Sequence, residues 1–267
     1  MLKDITLGQY FPGKTVVHRL DPRTKLILVI VYIVALFSAK HFLTYGIMLL
    51  SLCGIIAASR IQPKVILRSL KPLLFIIALT GLLNLFYTQG EPLVKLWILT
   101  ITREGVRSAI FMVLRISMLI AGTFMLTYTT SPIALTDGLE MLLNPLKKIK
   151  VPVHELSMMM CIALRFIPTL IEETDKIMSA QKARGADFET GSLLQRAKAL
   201  IPILVPLFIS SFRRADELAV AMECRCYHGG DGRTRMKQLR YQRNDIVALV
   251  GGFVIMAGVI VLGRIGL

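Results

Sequence analysis

The chain is poor in the patterns from which catalytic sites are built. No glycine-rich loop ends in Gly-Lys-Ser or Gly-Lys-Thr, so the chain is not its own P-loop ATPase. The histidines, His18, His41, His154 and His228, are isolated and show no metal-ligand spacing. Aspartate-rich prenyl-diphosphate motifs are absent, and so are internal repeats and low-complexity segments. Aromatic residues make up only 7% of the chain, and no basic stretch is interleaved with them, which removes the stacking platform of a nucleic-acid-binding surface. Cysteines are few: Cys53 and Cys161 stand inside apolar runs and read as core residues. Cys224 and Cys226 flank an arginine, too close for an ordinary disulfide and without further ligands for zinc. Nothing in this usage suggests an oxidising compartment. Met1 to Lys25 reads without a signal peptide, having five basic residues and no apolar core followed by a cleavage site.

What the chain does have is apolar length. Of its 267 residues 54% are hydrophobic, the mean hydropathy is +0.63, and the apolar residues come in long runs, as in membrane proteins. The net charge of +15 then reads as cytoplasmic segments facing anionic lipid, not as a nucleic-acid footprint. The first candidate span runs from about Leu26 to Ala39. Asp21 is a good N-cap for it, and Pro22 fits the first helical position. A second, about Phe42 to Ser59, follows after only Lys40 and His41, giving a tight helical hairpin. The third is about Pro72 to Tyr87, the fourth about Val106 to Tyr128, and a last run covers about Ile246 to Leu262. A loop with Gln89, Gly90, Glu91 and Trp97 separates the third from the fourth.

Charge sets the orientation. With the N-terminus inside, Lys3, Lys14, Arg19, Arg23 and Lys25 are cytoplasmic, as are Arg60, Lys64, Arg68 and Lys71. So is Thr129 to Asp245, which holds just over half of the 32 Lys and Arg residues. The organisation expected is therefore a membrane region over 1–128, a cytoplasmic helical domain over 129–245 and a C-terminal transmembrane helix over 246–267. The fold class is all-α.

The cytoplasmic stretch has three helices of its own. One opens at Thr130 or Ser131 before Pro132 and is broken or kinked at Asn144-Pro145. A longer one covers about Val153 to Gly185, apolar first and polar after Glu172. The third runs from about Ser192 to Tyr227 through Pro202 and Pro206, where a bend is expected. Two additional spans are the alternative, although Arg165 interrupts one run and the two prolines the other. Arg107 and Arg115 on the fourth span read as structural, snorkelling or facing the protein interior. Glu172-Glu173 is similar to the paired glutamates of some intramembrane proteases, but the accompanying histidine motifs are missing, and a solvated helix face explains the pair.

Two arginines stand out. Ala183-Arg184-Gly185 ends the second cytoplasmic helix, and Cys224-Arg225-Cys226 ends the third, just before Gly229-Gly230. A cation at a helix C-terminus, with glycine after it, is an ordinary cap. An arginine between small residues at an exposed tip also fits a narrow groove, where its planar fork meets a carboxylate bidentately. A short connection over Ala186 to Gly191 makes the helices antiparallel or crossing, with the two hooks facing apart toward two similar partners.

The longer motifs resemble a known family. Gly13, then His18-Arg19-Leu20-Asp21-Pro22-Arg23-Thr24-Lys25-Leu26, Thr130-Ser131-Pro132, Leu164-Arg165-Phe166-Ile167-Pro168, Gln181-Lys182-Ala183-Arg184-Gly185-Ala186-Asp187 and Arg214-Ala215-Asp216-Glu217-Leu218-Ala219 are similar to the transmembrane T component of energy-coupling-factor transporters, a family that includes the related subunit of cobalt and nickel importers. The resemblance covers nearly the whole chain. It implies a non-catalytic subunit of a bacterial or archaeal importer in the cell membrane, multi-pass, with about five transmembrane helices and a cytoplasmic coupling domain of long crossing helices. It implies two ABC-type ATPases as partners, a homo- or heterodimer, and one membrane-embedded S component that binds a vitamin or metal ion. ATP and magnesium belong to the ATPases, and this chain carries no cofactor. Carried over by position, the ATPase-docking residues are Ala183, Arg184, Gly185, Cys224, Arg225 and Cys226. The second triplet departs from the commoner Ala-Arg-Gly form. Ala163, Ile167, Leu204 and Phe208 are the implied surface for the S component. A stand-alone membrane protease or lipid-modifying enzyme, and an independent channel or secondary transporter, are the other readings.

Overall fold

The computed structural model describes residues 10–88, 92–96, 99–188, 192–230 and 238–265. Apart from one short ribbon, its regular structure is helical. In chain order the elements are α1 (Val16–Arg19), α2 (Pro22–Ser38), α3 (Phe42–Ser59), α4 (Pro63–Leu70), α5 (Leu74–Tyr87), β1 (Pro92–Leu96), β2 (Leu99–Thr102), α6 (Arg103–Thr129), α7 (Pro132–Leu143), α8 (Val153–Ala183), α9 (Leu193–Cys224) and α10 (Arg243–Ile265). The antiparallel pair β1–β2 occupies the segment read from sequence as a loop. Gln89, Gly90, Glu91 and Trp97 of that loop lie outside the described residues.

Among the described helices six are long and apolar enough to cross a membrane: Phe42–Ser59, Pro63–Tyr87, Arg103–Thr129, Val153–Ala183, Leu194–Cys224 and Arg243–Ile265. The protein is an all-α, polytopic membrane protein. Four of the five expected spans are in this set, the third extended back to Pro63. The remaining one, α2, has 17 residues, a length of about 25 Å. The long helices α8 and α9 meet the same measure of length and composition.

Two compact units are distinguished. The first consists of Gly8–Leu139 with Leu239–Leu267. Its core is one apolar cluster of Ala35 and Leu36 from α2 with its C-cap Ala39, Tyr45, Met48 and Leu52 from α3, Ile66 from α4, Met118, Ala121, Met125 and Tyr128 from α6, and Val259 from α10. Small residues let the helices approach, as is usual between membrane helices. A Cβ on Gly122 would stand 2.6 Å from Tyr32 Cε1, and one on Gly252 would stand 2.4 Å from Leu28 Cδ2. Each helix buries only one face. On α10, Asp245 and Val259 alone are buried, while Val247, Val250 and Val254 point outward, as lipid-facing residues do. The same logic corrects Cys53, expected in a core: it is exposed on α3. An apolar run in a membrane helix does not say which side faces protein.

The polar residues of this unit sit where helices begin and end. Asp21 caps α2, its Oδ1 accepting Arg23 N–H at 2.9 Å, with Pro22 at the first helical position. The amide of Asp21 donates in turn to Asp245 Oδ1 at 2.7 Å, and Gln242 N–H donates to Asp245 Oδ2 at 2.7 Å. One carboxylate, 1% exposed, thus ties together the N-termini of α2 and α10, where both helix dipoles favour negative charge. Arg23 closes the junction: it pairs with Asp21 at 2.9 Å, donates to Leu239 O at 3.1 Å and lies 4.2 Å from the Tyr241 ring centroid. Lys25 Nζ donates to His18 O, Thr129 O and Thr130 Oγ1, joining α2 to the end of α6. Arg115, inside a candidate span, is held by Tyr45 OH at 2.9 Å and by the α2 C-cap carbonyl, Ala39 O, at 3.2 Å. It faces protein, as a charge at that depth must.

The second unit is built on Glu140–Gln238. Helix α7 stops at Leu143, and a 3-10 turn over Asn144–Ile149 follows at the Asn-Pro break. The two helices after it, of 31 and 32 residues, hold prolines inside: Pro168 in α8, Pro202 and Pro206 in α9.

Candidate functional site

The arrangement of the arginine triplets follows from how α8 and α9 pair. A proline cannot donate to the carbonyl four residues back, so Pro206 frees the Pro202 carbonyl of α9. Gln181 Nε2 of α8 supplies a hydrogen to it at 3.4 Å. Further along, Glu173 of α8 accepts from Ser210 Oγ and pairs with Arg214 Nη2 of α9 at 2.9 Å. The pairings 181 with 202, and 173 with 210 and 214, run in opposite directions along the two helices, so the helices are antiparallel. The ends agree, because Gly230, just past α9, lies against the His154 ring at the start of α8. His154 Nδ1 in turn meets Glu140 Oε1 at 3.0 Å. Arg184 and Arg225 therefore stand at opposite ends of the pair, about 40 Å apart at 1.5 Å per residue.

Their backbone geometry is the same. Arg184 and Arg225 are the C-cap residues, with φ and ψ of −86° and 6° in one and −94° and 16° in the other. After Arg184, Gly185 N donates to Lys182 O at 3.0 Å and Ala186 N to Gln181 O at 3.0 Å. After Arg225, Cys226 N donates to Glu223 O at 2.8 Å and Tyr227 N to Met222 O at 3.0 Å. Both are Schellman endings, which place the residue after the cap in the left-handed region. Gly185 does so at φ 86°, without strain; Cys226 does so at φ 55°, carrying a Cβ, which costs on the order of 1 kcal/mol. The departure from Ala-Arg-Gly thus changes the energy of the second tip and leaves its shape unchanged.

Ala183, Arg184, Gly185, Cys224, Arg225 and Cys226 are all exposed. Neither guanidinium meets a carboxylate among the described residues, and no group of three or more metal-ligating side chains occurs among them. Among the described residues each tip presents a fork without a carboxylate partner at the negative end of a helix dipole, which suits an acidic groove.

Comparison with known proteins decides the family. The family model for the cobalt transport protein CbiQ matches residues 13–236. The energy-coupling factor transporter transmembrane protein EcfT of Clostridium kluyveri is 55% identical over 267 residues, covering 99% of this chain and 98% of its own. That of Bacillus subtilis is 46% identical over 258 residues, covering 96% and 97%, and that of Lactococcus lactis 45% over 262 residues, covering 98% of each. The chain belongs to this family of transporter transmembrane proteins.

As a member of the CbiQ/EcfT family the chain is a component of a transporter complex, so its exposed surfaces include places for partner subunits. Ala163 is exposed and Ile167 half-buried on α8. Leu204 and Phe208, one turn apart on α9, are 57% and 66% exposed, and Phe208 rests edge-on against Phe212. The structure does not cluster these four with the arginine tips; they lie along the helices between the ends. Two residues escaped the sequence reading. Glu173, assigned to a solvated face, and Arg214, present only as part of a motif, form the polar link between α8 and α9. Their spacing of 41 residues on separate helices carries no local signal.

Proposed function

We propose that the chain is the coupling subunit of an energy-coupling-factor importer, transmitting ATP-driven motion from two cytoplasmic ABC-type ATPases to a substrate-binding S component. The observation that carries this reading is the duplication of the tip. Two helix ends with different sequences adopt the same Schellman geometry, each with an exposed arginine at its cap that meets no carboxylate among the described residues, at opposite ends of one antiparallel pair. Two equivalent hooks suit two equivalent grooves. In this reading Ala183, Arg184 and Gly185 enter one ATPase and Cys224, Arg225 and Cys226 the other. Residues 129–245 lie on the cytoplasmic side with the N-terminus, and the chain itself binds neither ATP nor magnesium.

The apolar exposed positions Ala163, Ile167, Leu204 and Phe208 supply the contact for the S component, and the cargo, a vitamin or a metal ion, is selected there. Long helices that are apolar in one stretch and charged at the tip serve a membrane partner and a soluble partner at once. The test is the double substitution Arg184→Glu and Arg225→Glu. It is expected to abolish co-purification with the ATPases and uptake while the chain still inserts in the membrane. Retention of both would contradict the docking role. Flux or turnover by the purified chain alone would favour a channel or an enzyme instead.

A further inference from the structure

The connection between α3 and α5 carries charge of one sign. No Asp or Glu stands between Asp21 and Glu91, while Arg60, Lys64, Arg68 and Lys71 crowd into one short stretch. Helix α4 has eight residues, opened by Pro63 at its first position, and continues through a 3-10 turn at Lys71–Leu73 into α5. At 100° per residue, Lys64, Arg68 and Lys71 fall within about 60° of one another. Ile66, the buried residue of α4, points to the opposite side, and the half-buried Val65, Ser69 and Leu70 flank it. That face is anchored: Ser69 Oγ donates to Val65 O at 3.0 Å and meets Tyr128 OH of α6. The basic stripe therefore points away from the core of this unit. All four cations are exposed, and among the described residues none is paired with a carboxylate.

What lies beside the stripe is apolar. Leu67 is 66% exposed at its edge, and Leu74, Phe75 and Ile76 turn outward as soon as α5 begins. Helix α3 before it and the stretch Pro63–Tyr87, whose first two turns are α4 itself, are each long and apolar enough to cross a membrane, so the end of that stretch next to α3, where its charges collect, sits at a bilayer surface. There, cationic heads reach the phosphate level while their stems and neighbouring leucines stay in hydrocarbon. An acidic protein surface would match the charges but not the apolar band continuous with them.

We propose that Lys64, Arg68 and Lys71, with Arg60 beside them, form a binding stripe for anionic phospholipid headgroups. Arginine forks grip the phosphodiester oxygens and lysines add point charges, while acyl chains pack on Leu67, Leu74 and Phe75. The stripe makes lipid of the phosphatidylglycerol type a specific neighbour of this chain, whatever the cargo.

The test uses the full chain with Leu67→Trp as the reporter and Trp97→Phe to remove the single natural tryptophan. It is reconstituted in phosphatidylcholine vesicles containing a minor fraction of phosphatidylglycerol. Bromine is placed on the acyl chains of that fraction, or on an equal fraction of phosphatidylcholine. Brominated phosphatidylglycerol is expected to quench the reporter's fluorescence more strongly. The triple variant Lys64→Gln, Arg68→Gln, Lys71→Gln is expected to remove the preference, each charge accounting for up to about fivefold. Raising salt on the chain with its basic residues intact should weaken the preference too, independently of any fold change in the variant. Equal quenching by the two lipids, a preference that survives the triple substitution, or a reporter that neither lipid reaches because protein covers the face would each overturn the proposal.

Discussion

Cutting the link between Glu173 and Arg214 should loosen the pairing of α8 and α9 more than any apolar truncation there. The reason is how little else is buried. In the second unit only Val153, Ser157 and Ile203 are buried among the described side chains, so the antiparallel pair leans on its polar contacts. Glu173 accepts from Ser210 and from Arg214, the latter at 2.9 Å, with side-chain exposures of 21% and 35%. A hydrogen bond between charged groups contributes about 1.5–3 kcal/mol when shielded, and partial exposure reduces that through solvent screening. About 1–2 kcal/mol is therefore expected for Arg214→Ala. Glu173→Ala should cost a similar amount, since Ser210 loses its acceptor and Arg214 its counter-charge. The double variant should cost clearly less than the sum, with a coupling of about 1 kcal/mol. Amide hydrogen exchange reads this directly, because local opening near the crossing should become roughly 5–30 times more frequent. If exchange there is unchanged in both single variants, or their effects simply add, the two side chains do not hold the helices together. If ATPase docking is then measured in the same variants, both tips should weaken, because the link sets the separation between them.

Other junctions give sharper single-residue outcomes. Asp245→Ala leaves the Asp21 and Gln242 amides without their acceptor and should destabilise the first unit by about 2–4 kcal/mol, read as a lowered melting temperature in detergent; a change within error would remove Asp245 as the joint of α2 and α10. His18 donates from Nε2 to Phe11 O at 3.0 Å and accepts at Nδ1 from Thr15 Oγ1 at 2.7 Å. Burial first, and the nearby Lys25 charge, hold its pKa below the usual 6.5, although the Phe11 carbonyl opposes them. The unfolded chain thus binds the proton more readily, so stability present above about pH 6.5 is lost as pH falls below it. His18→Gln should flatten that part of the pH profile, and an unchanged acid slope would exclude His18 as its source. Cys226→Gly removes a side chain from a left-handed position and should stabilise the second tip by about 1 kcal/mol without weakening ATPase capture; loss of capture would show that the thiol itself makes the contact.

The sequence was most legible where a single local signal decides the backbone. Asp21-Pro22 at the start of α2, Asn144-Pro145 after α7 and Ser192 before α9 all act as their residue types require. Both arginine tips were visible for the same reason, since a helix stop is written in its last residues. What stayed hidden depends on partners far along the chain. Asp21 and Asp245 are 224 positions apart, and nothing near either announces the other. Glu173 reads as solvated surface in the sequence because helix periodicity shows a polar face without showing what it meets. Cys226 concealed a glycine-like conformation, since the geometry is imposed by the helix ending and its cost is small enough to tolerate. Cys53 was assigned to the wrong side because lipid and core accept the same residues. The ribbon β1–β2 is too short for an alternating pattern to stand out.

The central claim is that Arg184 and Arg225 grip two separate ATPase subunits. The most direct measurement is an electron cryomicroscopy reconstruction of the complex drawn from native membranes in mild detergent with its accompanying subunits. Each guanidinium is expected within hydrogen-bonding distance of a carboxylate in a different nucleotide-binding subunit, with the two tips about 40 Å apart along the α8–α9 pair. An arginine found in the hydrocarbon layer, or far from any nucleotide-binding subunit, would contradict the account.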